Sequence, residues 1–493
     1  MIASQLPALQ VVIPLLGAAV AALTRRSAIA WGIALAVSWT MPLISGALLL
    51  QVLTSGPITY SLGGWNPPWG IEYRIDLLNG FVLVLVSLIG AVIIPYARAS
   101  VEQEIPQGRG AWFYTMYLLC LCGLLGIAIT ADAFNAFVFL EVSSLSTYVL
   151  IALGRDRRAL LAAYQYLILG TIGATFYVIG VGLLYTMTGT LNLADIAGRL
   201  SEVENARPVL AALAFLTVGI SLKLALFPLH VWLPNAYAYA PSAATAFLAA
   251  TATKVAVYLL IRFFFTVFGV IFVFKTLPVS PIFLALSLAA MFGASIVAVF
   301  QNDVKRMLAY SSVAQIGYIT LGIALANQDG LTGGIVHLFN HAITKGALFL
   351  VMGAVLFRTG SVKLEDLAGL AKRMPISMGA FVVAGLSIIG TPGTAGFISK
   401  WYLALGALER GDWWLVFLLV GSSVISIIYI GRVVEATWFR PAGKLASGAR
   451  EPPRSMLIPA LILVAATVYF GFDTTLTVGV AEKAAAALLE GIR

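Results

Sequence analysis

Charge is the first thing this sequence is short of. Only 10 % of its 493 residues are Asp, Glu, Lys or Arg, while 60 % are apolar. A soluble domain carries about 25 % charged residues. A chain this poor in them cannot cover a water-exposed surface, so a soluble enzyme is excluded. Disorder is excluded too, because it requires low hydrophobicity. Cysteine is nearly absent. Cys120 and Cys122 lie inside the apolar run LLCLCGLL and read as small core- or lipid-facing residues. There is no disulfide framework and no zinc spacing. A nucleotide-binding loop, a flavin or dinucleotide fingerprint, and haem or iron–sulfur ligand sets are also missing. No cofactor is expected, and the chain carries no catalytic chemistry of its own.

Long apolar runs are what remains. Barrel strands would alternate apolar and polar residues; these runs are unbroken, so the expected fold is an all-α polytopic membrane protein of about 14 transmembrane helices. The runs place spans 1 to 14 at 5–24, 28–53, 76–97, 111–131, 133–153, 160–188, 208–229, 242–265, 280–300, 307–326, 330–357, 375–408, 413–438 and 455–478. The first run has no basic residue ahead of it and Arg25-Arg26 behind it, so it reads as a retained span.

Basic residues are distributed unevenly between the two sets of loops. Loops after odd-numbered spans hold 18 of the 30 Lys and Arg residues; the other side and the termini hold 8. By the positive-inside rule the odd loops face the cytoplasm and both termini face outward. The expected location is a bacterial or archaeal-type cell membrane. The net charge of +9 is thus mostly a topology signal, and no nucleic-acid partner is implied. The outer segment GPITYSLGGWNPPWGIEYRID (56–76) reads as a β-hairpin around Asn66-Pro67-Pro68. The C-terminal AEKAAAALLEGIR reads as a short interfacial helix, with nothing long enough for a lateral helix after span 14.

Against this background seven ionisable groups stand inside spans: Glu141, Lys223, Lys254, His337, His341, Lys345 and Lys400. A charge at mid-bilayer costs about 2.5–3.5 kcal/mol on insertion scales. Four lysines at that cost need a hydrated interior and a task. Lys223, Lys254 and Lys345 lie too far from a loop to snorkel comfortably. Glu141, in AFVFLEVSSLSTYVL, reads as the only acid buried in a span, and its natural partner is a lysine. His337, His341 and Lys345 follow i, i+4, i+8 spacing and share a helix face. A two-histidine metal site is the competing reading; it lacks a carboxylate or thiolate nearby, so no metal is expected.

Two lysines adjoin helix breakers. In GISLKLALFPLHVWLPNAYAYAPSA, Lys223 precedes Pro228, and His230 follows at the break. There His230 either satisfies freed backbone or touches the polar path. In IIGTPGTAGFISKWYLAL, Gly390, Pro392, Gly393 and Gly396 interrupt span 12 before Lys400. Freed backbone at membrane depth needs water or polar side chains. Two interrupted spans in corresponding places point to a transporter with repeats. Spans 4–8 and 9–13 would be the copies, and an odd offset of five spans makes the second copy inverted. The expected organisation is 1–110 for the N-terminal spans and hairpin, 111–274 and 275–440 for the two repeats, and 441–493 for span 14 and the tail.

These residues together resemble the antiporter-like subunits of Mrp-type cation/proton antiporters, respiratory complex I and membrane-bound hydrogenases. The most specific pieces are Glu141 in span 5, SLKLALFPLHVWLPNAYAYAPSAATAFLAATATKVAVY, and HLFNHAITKGALF. Within that family, length and the outer hairpin look most similar to the D-type subunits of Mrp Na⁺/H⁺ antiporters. The resemblance implies 14 helices in two inverted five-helix repeats, each with a broken helix. It implies Glu141 and Lys223 as a paired acid and base, Lys254 as a relay, His337, His341 and Lys345 as the central region, and Lys400 as the terminal group. It further implies H⁺, with Na⁺ or K⁺, as cargo. The implied partners are other integral membrane subunits, driven either by an ion gradient or by redox chemistry elsewhere in the complex.

Overall fold

In a computed structural model describing residues 3–203 and 206–490, thirteen helices are long and apolar enough to cross a membrane. Spans 1 to 6 are Leu6–Leu23, Ser27–Ser55, Leu77–Glu104, Gly110–Ile129, Ala133–Ala152 and Arg157–Thr188. Span 7 is Ala206–Leu224, and spans 8 to 11 are Ser242–Val267, Val279–Val299, Val304–Leu325 and Gln328–Thr359. Spans 13 and 14 are Trp413–Phe439 and Arg454–Phe472. The remaining run, span 12, is divided into Pro375–Ile389 and Ala395–Glu409. Each half is about 22 Å long at 1.5 Å per residue, too short for a roughly 30 Å hydrocarbon core.

Local chemistry marks where several of these helices begin. Asp76 and Asn79 form a reciprocal capping box at span 3. Asp132, Asp156, Asp303 and Asn327 accept backbone N–H bonds at the starts of spans 5, 6, 10 and 11. Each cap satisfies amides that would otherwise be orphaned at a helix start. The hairpin forms as β1 (Ile58–Ser61) antiparallel to β2 (Glu72–Ile75). Spans 8, 10 and 11 are among the most enclosed, and they carry most of the interior charges.

A constant offset of 171 residues links two parts of the chain. TGTLNLADIAG (188–198) recurs as TGSVKLEDLAG (359–369). Gly189 and Gly360 both terminate their helices in the left-handed region, at φ +69° and +74°. The backbone bridge Asp132–Asn192 has its counterpart in Asp303–Lys363. The second and third spans of each set are thus tied at the same two points, five spans apart.

Several sequence expectations need correction. Span 7 ends at Leu224, not near 229, so Pro228 and His230 lie in a non-helical segment before a short helix, Trp232–Tyr239. Pro228 has no N–H to offer the Leu224 carbonyl four residues back, so the helix cannot run on. Gly396 is not part of the second break. It sits inside the half-helix Ala395–Glu409, where a Cβ would collide with the Ser387 carbonyl oxygen. Span 14 stops at Phe472, and the tail helix starts earlier and is longer than expected, Thr475–Leu489. Its face of Val478, Ala481, Ala484 and Ala485 is buried, and it packs on spans 11 and 3. Gly491, Ile492 and Arg493 of that tail lie outside the described residues. Lys305 is not a loop residue: it is buried in the first turn of span 10.

Candidate functional site

The first interrupted span places a lysine at its last turn. Lys223 is buried, and its Nζ donates to Ser144 Oγ at 2.7 Å. Glu141, one turn from Ser144 on span 5, brings Oε1 to 3.8 Å from the same nitrogen. That is an ion pair beyond hydrogen-bond length. Glu141 is less enclosed than the sequence suggested, with 27 % of its side chain exposed on the flank of the chain. Beyond Lys223 the backbone turns at Ala225, which takes φ +60°. A non-glycine residue there costs about 1–2 kcal/mol. The freed Leu222 carbonyl accepts from Trp232 Nε1 at 2.9 Å, and Trp232 stacks on Tyr166 with centroids 3.8 Å apart. The break is held by aromatic packing and an indole donor.

Span 8 carries Lys254, which donates to the Ala249 carbonyl at 2.5 Å and to Thr253 Oγ1 at 3.3 Å. It is close enough for its charge to act on His337, His341 and Lys345 of span 11. Lys345 is fully buried and donates to the Leu308 carbonyl (2.9 Å) and Ser311 Oγ (2.8 Å) of span 10. The His341 ring lies 6.1 Å from that of His337, nearly parallel to it. Neither His341 nitrogen has a protein partner among the described residues. An unpartnered buried polar group costs about 1–3 kcal/mol, so this is a position where water is expected to complete the bonding. His337 shares hydrogen bonds with Ser399 Oγ (2.8 Å) and Gln315 Oε1 (3.1 Å).

The second break ends the file. Lys400 donates to the Ile388 and Ile389 carbonyls (3.0 and 2.9 Å) and to Ser423 Oγ (2.8 Å). Its ammonium therefore closes the C-terminus of Pro375–Ile389, where the helix dipole favours a cation. Gly390 leaves that helix at φ +87°, and a Cβ on it would meet Lys400 Cδ at 2.8 Å. Tyr318 bridges the last step: Lys400 Nζ is 4.5 Å from its ring centroid, and the His337 ring is 5.4 Å from it.

Glu141 and Lys223 are thus brought together. Lys254, His341, Lys345 and His337 form a central group, and Lys400 is reached through Tyr318. Gly390, Pro392 and Gly393 fall in the second break. Pro228 and His230 lie in the first. His230 stacks on Phe227 and faces Tyr310; no hydrogen bond joins it to the file among the described residues. No three His, Cys, Asp or Glu side chains among them converge as a metal site would need.

Sequence reasoning missed three features. Span 10 presents Lys305, Ser311 and Gln315 to its neighbours; the i+4 pair Ser311–Gln315 in an apolar helix was the available signal. Glu104, at the end of an unexpectedly long span 3, accepts from the Ser242 amide and hydroxyl (both 2.9 Å) and so caps span 8. At the opposite end of span 8, Arg262 makes a two-pronged pair with Asp76 (2.7 and 2.8 Å). Burial by itself pushes the Asp76 carboxyl up, but the Arg262 guanidinium and the Asn79 amide overcome it and hold the group below its usual range.

Comparison with known proteins adds a lineage to this geometry. The family described as NADH:quinone oxidoreductase/Mrp antiporter, transmembrane, matches residues 130–426. NADH-quinone oxidoreductase subunit N of Desulforudis audaxviator (strain MP104C) is 44 % identical over 488 residues, covering 95 % of this chain and 96 % of that one. The D-type subunit of the Na(+)/H(+) antiporter of Bacillus subtilis (strain 168) is 29 % identical over 446 residues, covering 90 % and 89 %. Among solved structures, a chain of an archaeal membrane-bound sulfane sulfur reductase complex superposes with TM-score 0.90 at 31 % identity. A chain of the Mrp complex of Dietzia sp. DQ12-45-1b also gives 0.90, at 27 % identity. Both cover 99 % of this chain and 98 % of theirs.

Proposed function

The chain belongs to the NADH:quinone oxidoreductase/Mrp antiporter family, and from that premise we propose that it is the proton-translocating subunit of a multisubunit membrane complex. Protons move along Glu141/Lys223, Lys254, His341/Lys345, His337 and Lys400, across the interior and between the two broken spans. The observation that carries this reading is the acid set 3.8 Å from Lys223, with a file of enclosed lysines and histidines beyond it. Histidine suits the middle of such a wire, because one ring nitrogen can take up a proton while the other gives one away.

The repeated TG…LAG segments and paired bridges support reading spans 4–8 and 9–13 as copies, and an offset of five spans makes them antiparallel in the membrane. Positive-inside bias puts the basic face in the cytoplasm. The partly exposed Glu141 supports a neighbouring subunit covering that flank, since a carboxylate facing lipid would be costly.

For the driving force, the first reading is exchange of H⁺ against Na⁺ or K⁺, in which a membrane potential of 100 mV supplies about 2.3 kcal/mol per charge. The second is a proton-pumping subunit of a redox-driven complex. It is favoured by the 44 % identity to an N-type oxidoreductase subunit, against 29 % to a D-type antiporter subunit. Purification in mild detergent separates them: iron–sulfur or flavin subunits travelling with the chain select the redox reading.

The wire itself is tested by Lys223→Ala and Lys223→Arg in the intact complex, assayed for proton movement in everted vesicles. Both are expected to abolish it while assembly persists, since alanine has no amine and arginine does not release its proton. Normal transport by either variant in a complete complex would sink the reading.

A further inference from the structure

A cleft of about 440 Å³ opens on the basic face of the chain. It lies between the ends of spans 3, 10 and 11 and the short helix Trp232–Tyr239. Glu104, Asp303, Lys305 and Lys363 are among its lining residues. Lys305 is only 2 % exposed, in the first turn of span 10. It is an interior lysine that the file described above does not use.

Its bonding does not explain its burial. Lys305 Nζ donates to the Ala240 carbonyl at 3.0 Å, at the end of Trp232–Tyr239. That oxygen is also 3.3 Å from Thr245 Oγ1, whose shorter bond goes to the Tyr237 carbonyl at 3.0 Å. Among the described residues no carboxylate lies within ion-pair distance of Lys305; Glu104 and Asp303 act on it from farther away. An ammonium enclosed without a close counter-ion is expensive, which favours a group that can shed its charge.

The direction of travel is set by span 10. One turn beyond Lys305 is the Leu308 carbonyl, and beyond it Ser311; these are the two groups that hold the Lys345 ammonium, at 2.9 and 2.8 Å. Another turn on is Gln315, bonded to His337. Lys305, Leu308, Ser311 and Gln315 thus recur at intervals of about one turn along span 10, each turn rising about 5.4 Å.

We infer that this cleft is the mouth through which protons from the basic face enter the file, and that Lys305 receives them there and passes them to Lys345. The inference rests on the proton-wire reading and adds its entrance. The neutral Lys305 amine takes a proton from cleft water. The resulting ammonium gives one proton, through a hydroxyl or water, to the neutral Lys345 amine. The Lys305 amine is regenerated and no electrons change hands.

The test uses the intact complex in everted vesicles. Lys305→Arg keeps the cation and its donors but cannot release a proton; Lys305→Gln keeps a donor without charge. Both are expected to lower the transport rate at least about tenfold in assembled complex. Wild-type rates in Lys305→Arg would show a lysine that only caps a helix, and would overturn the inference. Should either variant fail to accumulate, a second measurement decides. Lys363→Cys, at the cleft rim, is labelled with a bulky cationic methanethiosulfonate. Labelling is expected to cut the rate about tenfold, and an unchanged rate after complete labelling overturns the inference. Lys223→Arg, run alongside, keeps the two claims apart. If it transports normally the wire fails; if only the Lys305 and Lys363 arms behave as wild type, the wire stands and the entrance is elsewhere.

Discussion

Neutralising Glu141 without changing its shape is the sharpest perturbation the geometry offers. Its Oε1 lies 3.8 Å from Lys223 Nζ. At an effective dielectric of 20, two unit charges at that distance attract by about 4 kcal/mol. The effective dielectric sets the scale, and a working range of about 2–4 kcal/mol covers values of about 20–40. At 1.4 kcal/mol per decade this is a bias of roughly 30- to 1000-fold toward the charged lysine. Glu141→Gln removes all of it. Glu141→Asp retracts the carboxylate by one methylene, about 1.5 Å, and leaves about 3 kcal/mol at the same dielectric. If loading of Lys223 limits transport, Gln lowers the rate by at least about 30-fold and Asp by about fivefold. Assembly should survive both, because the 2.7 Å bond from Lys223 to Ser144 remains. The assay is the rate of ΔpH formation or collapse in everted vesicles, normalised to assembled complex. A Glu141→Gln complex that keeps more than half the wild-type rate would refute the claim that this carboxylate sets the charge on Lys223.

Two other predictions concern the helix ends. Lys400→Met removes the cation that closes Pro375–Ile389, so the half-helix loses about 1–2 kcal/mol; hydrogen exchange at 386–394 should rise in the purified complex, and unchanged protection would contradict the capping role. Asp76→Ala removes a cap and strands Arg262, at about 3–5 kcal/mol, read as a lower thermal midpoint in detergent. Because Asp76 is held below its usual range, its contribution is full above the unfolded value of about 3.9 and fades as pH falls through the lower folded value. The gap between wild type and variant should therefore close in strong acid and be constant near neutrality.

How much of this was legible in the sequence depended on what each residue competes with. Apolar length alone located the membrane helices, because nothing but a bilayer tolerates such runs. The interior lysines were legible for the converse reason: their cost had no bland explanation. Helix ends were harder. Glu104 and Lys305 looked like loop charges, yet each is absorbed by a neighbour, a helix start or a carbonyl. Hydropathy has no access to such partners. Pro228 was visible as a breaker, while the stop at Leu224 required the i−4 rule to be applied backward. Gly396 misled because a glycine that admits another backbone and a glycine that ends a helix read alike. Charge logic gave Glu141 a lysine partner and the family resemblance named Lys223, but the exposure of Glu141 on the flank depends on how span 5 packs, and a single sequence does not carry that.

The pairing pattern along the file carries a consequence for how a proton is driven through it. Among the described residues, Lys223 is the interior lysine with a carboxylate as a close partner; Lys254, Lys305, Lys345 and Lys400 all rest on backbone carbonyls. A carbonyl steadies an ammonium without cancelling its charge, so positive charges loaded at Lys254, His341 and Lys345 repel one another across a low-dielectric core. The central group therefore favours a single excess proton over two. A proton pressed in at one end raises the energy of the next and displaces it, whereas the Glu141–Lys223 end can hold its proton against that pressure for as long as the ion pair stays closed. The acid thus acts as a latch at one end of an otherwise unlatched file. On this argument, an added acid beside Lys345, as in Ser311→Asp, should trap a proton midway and slow transport in everted vesicles while raising the thermal midpoint; a variant that transports at the wild-type rate would refute the latch.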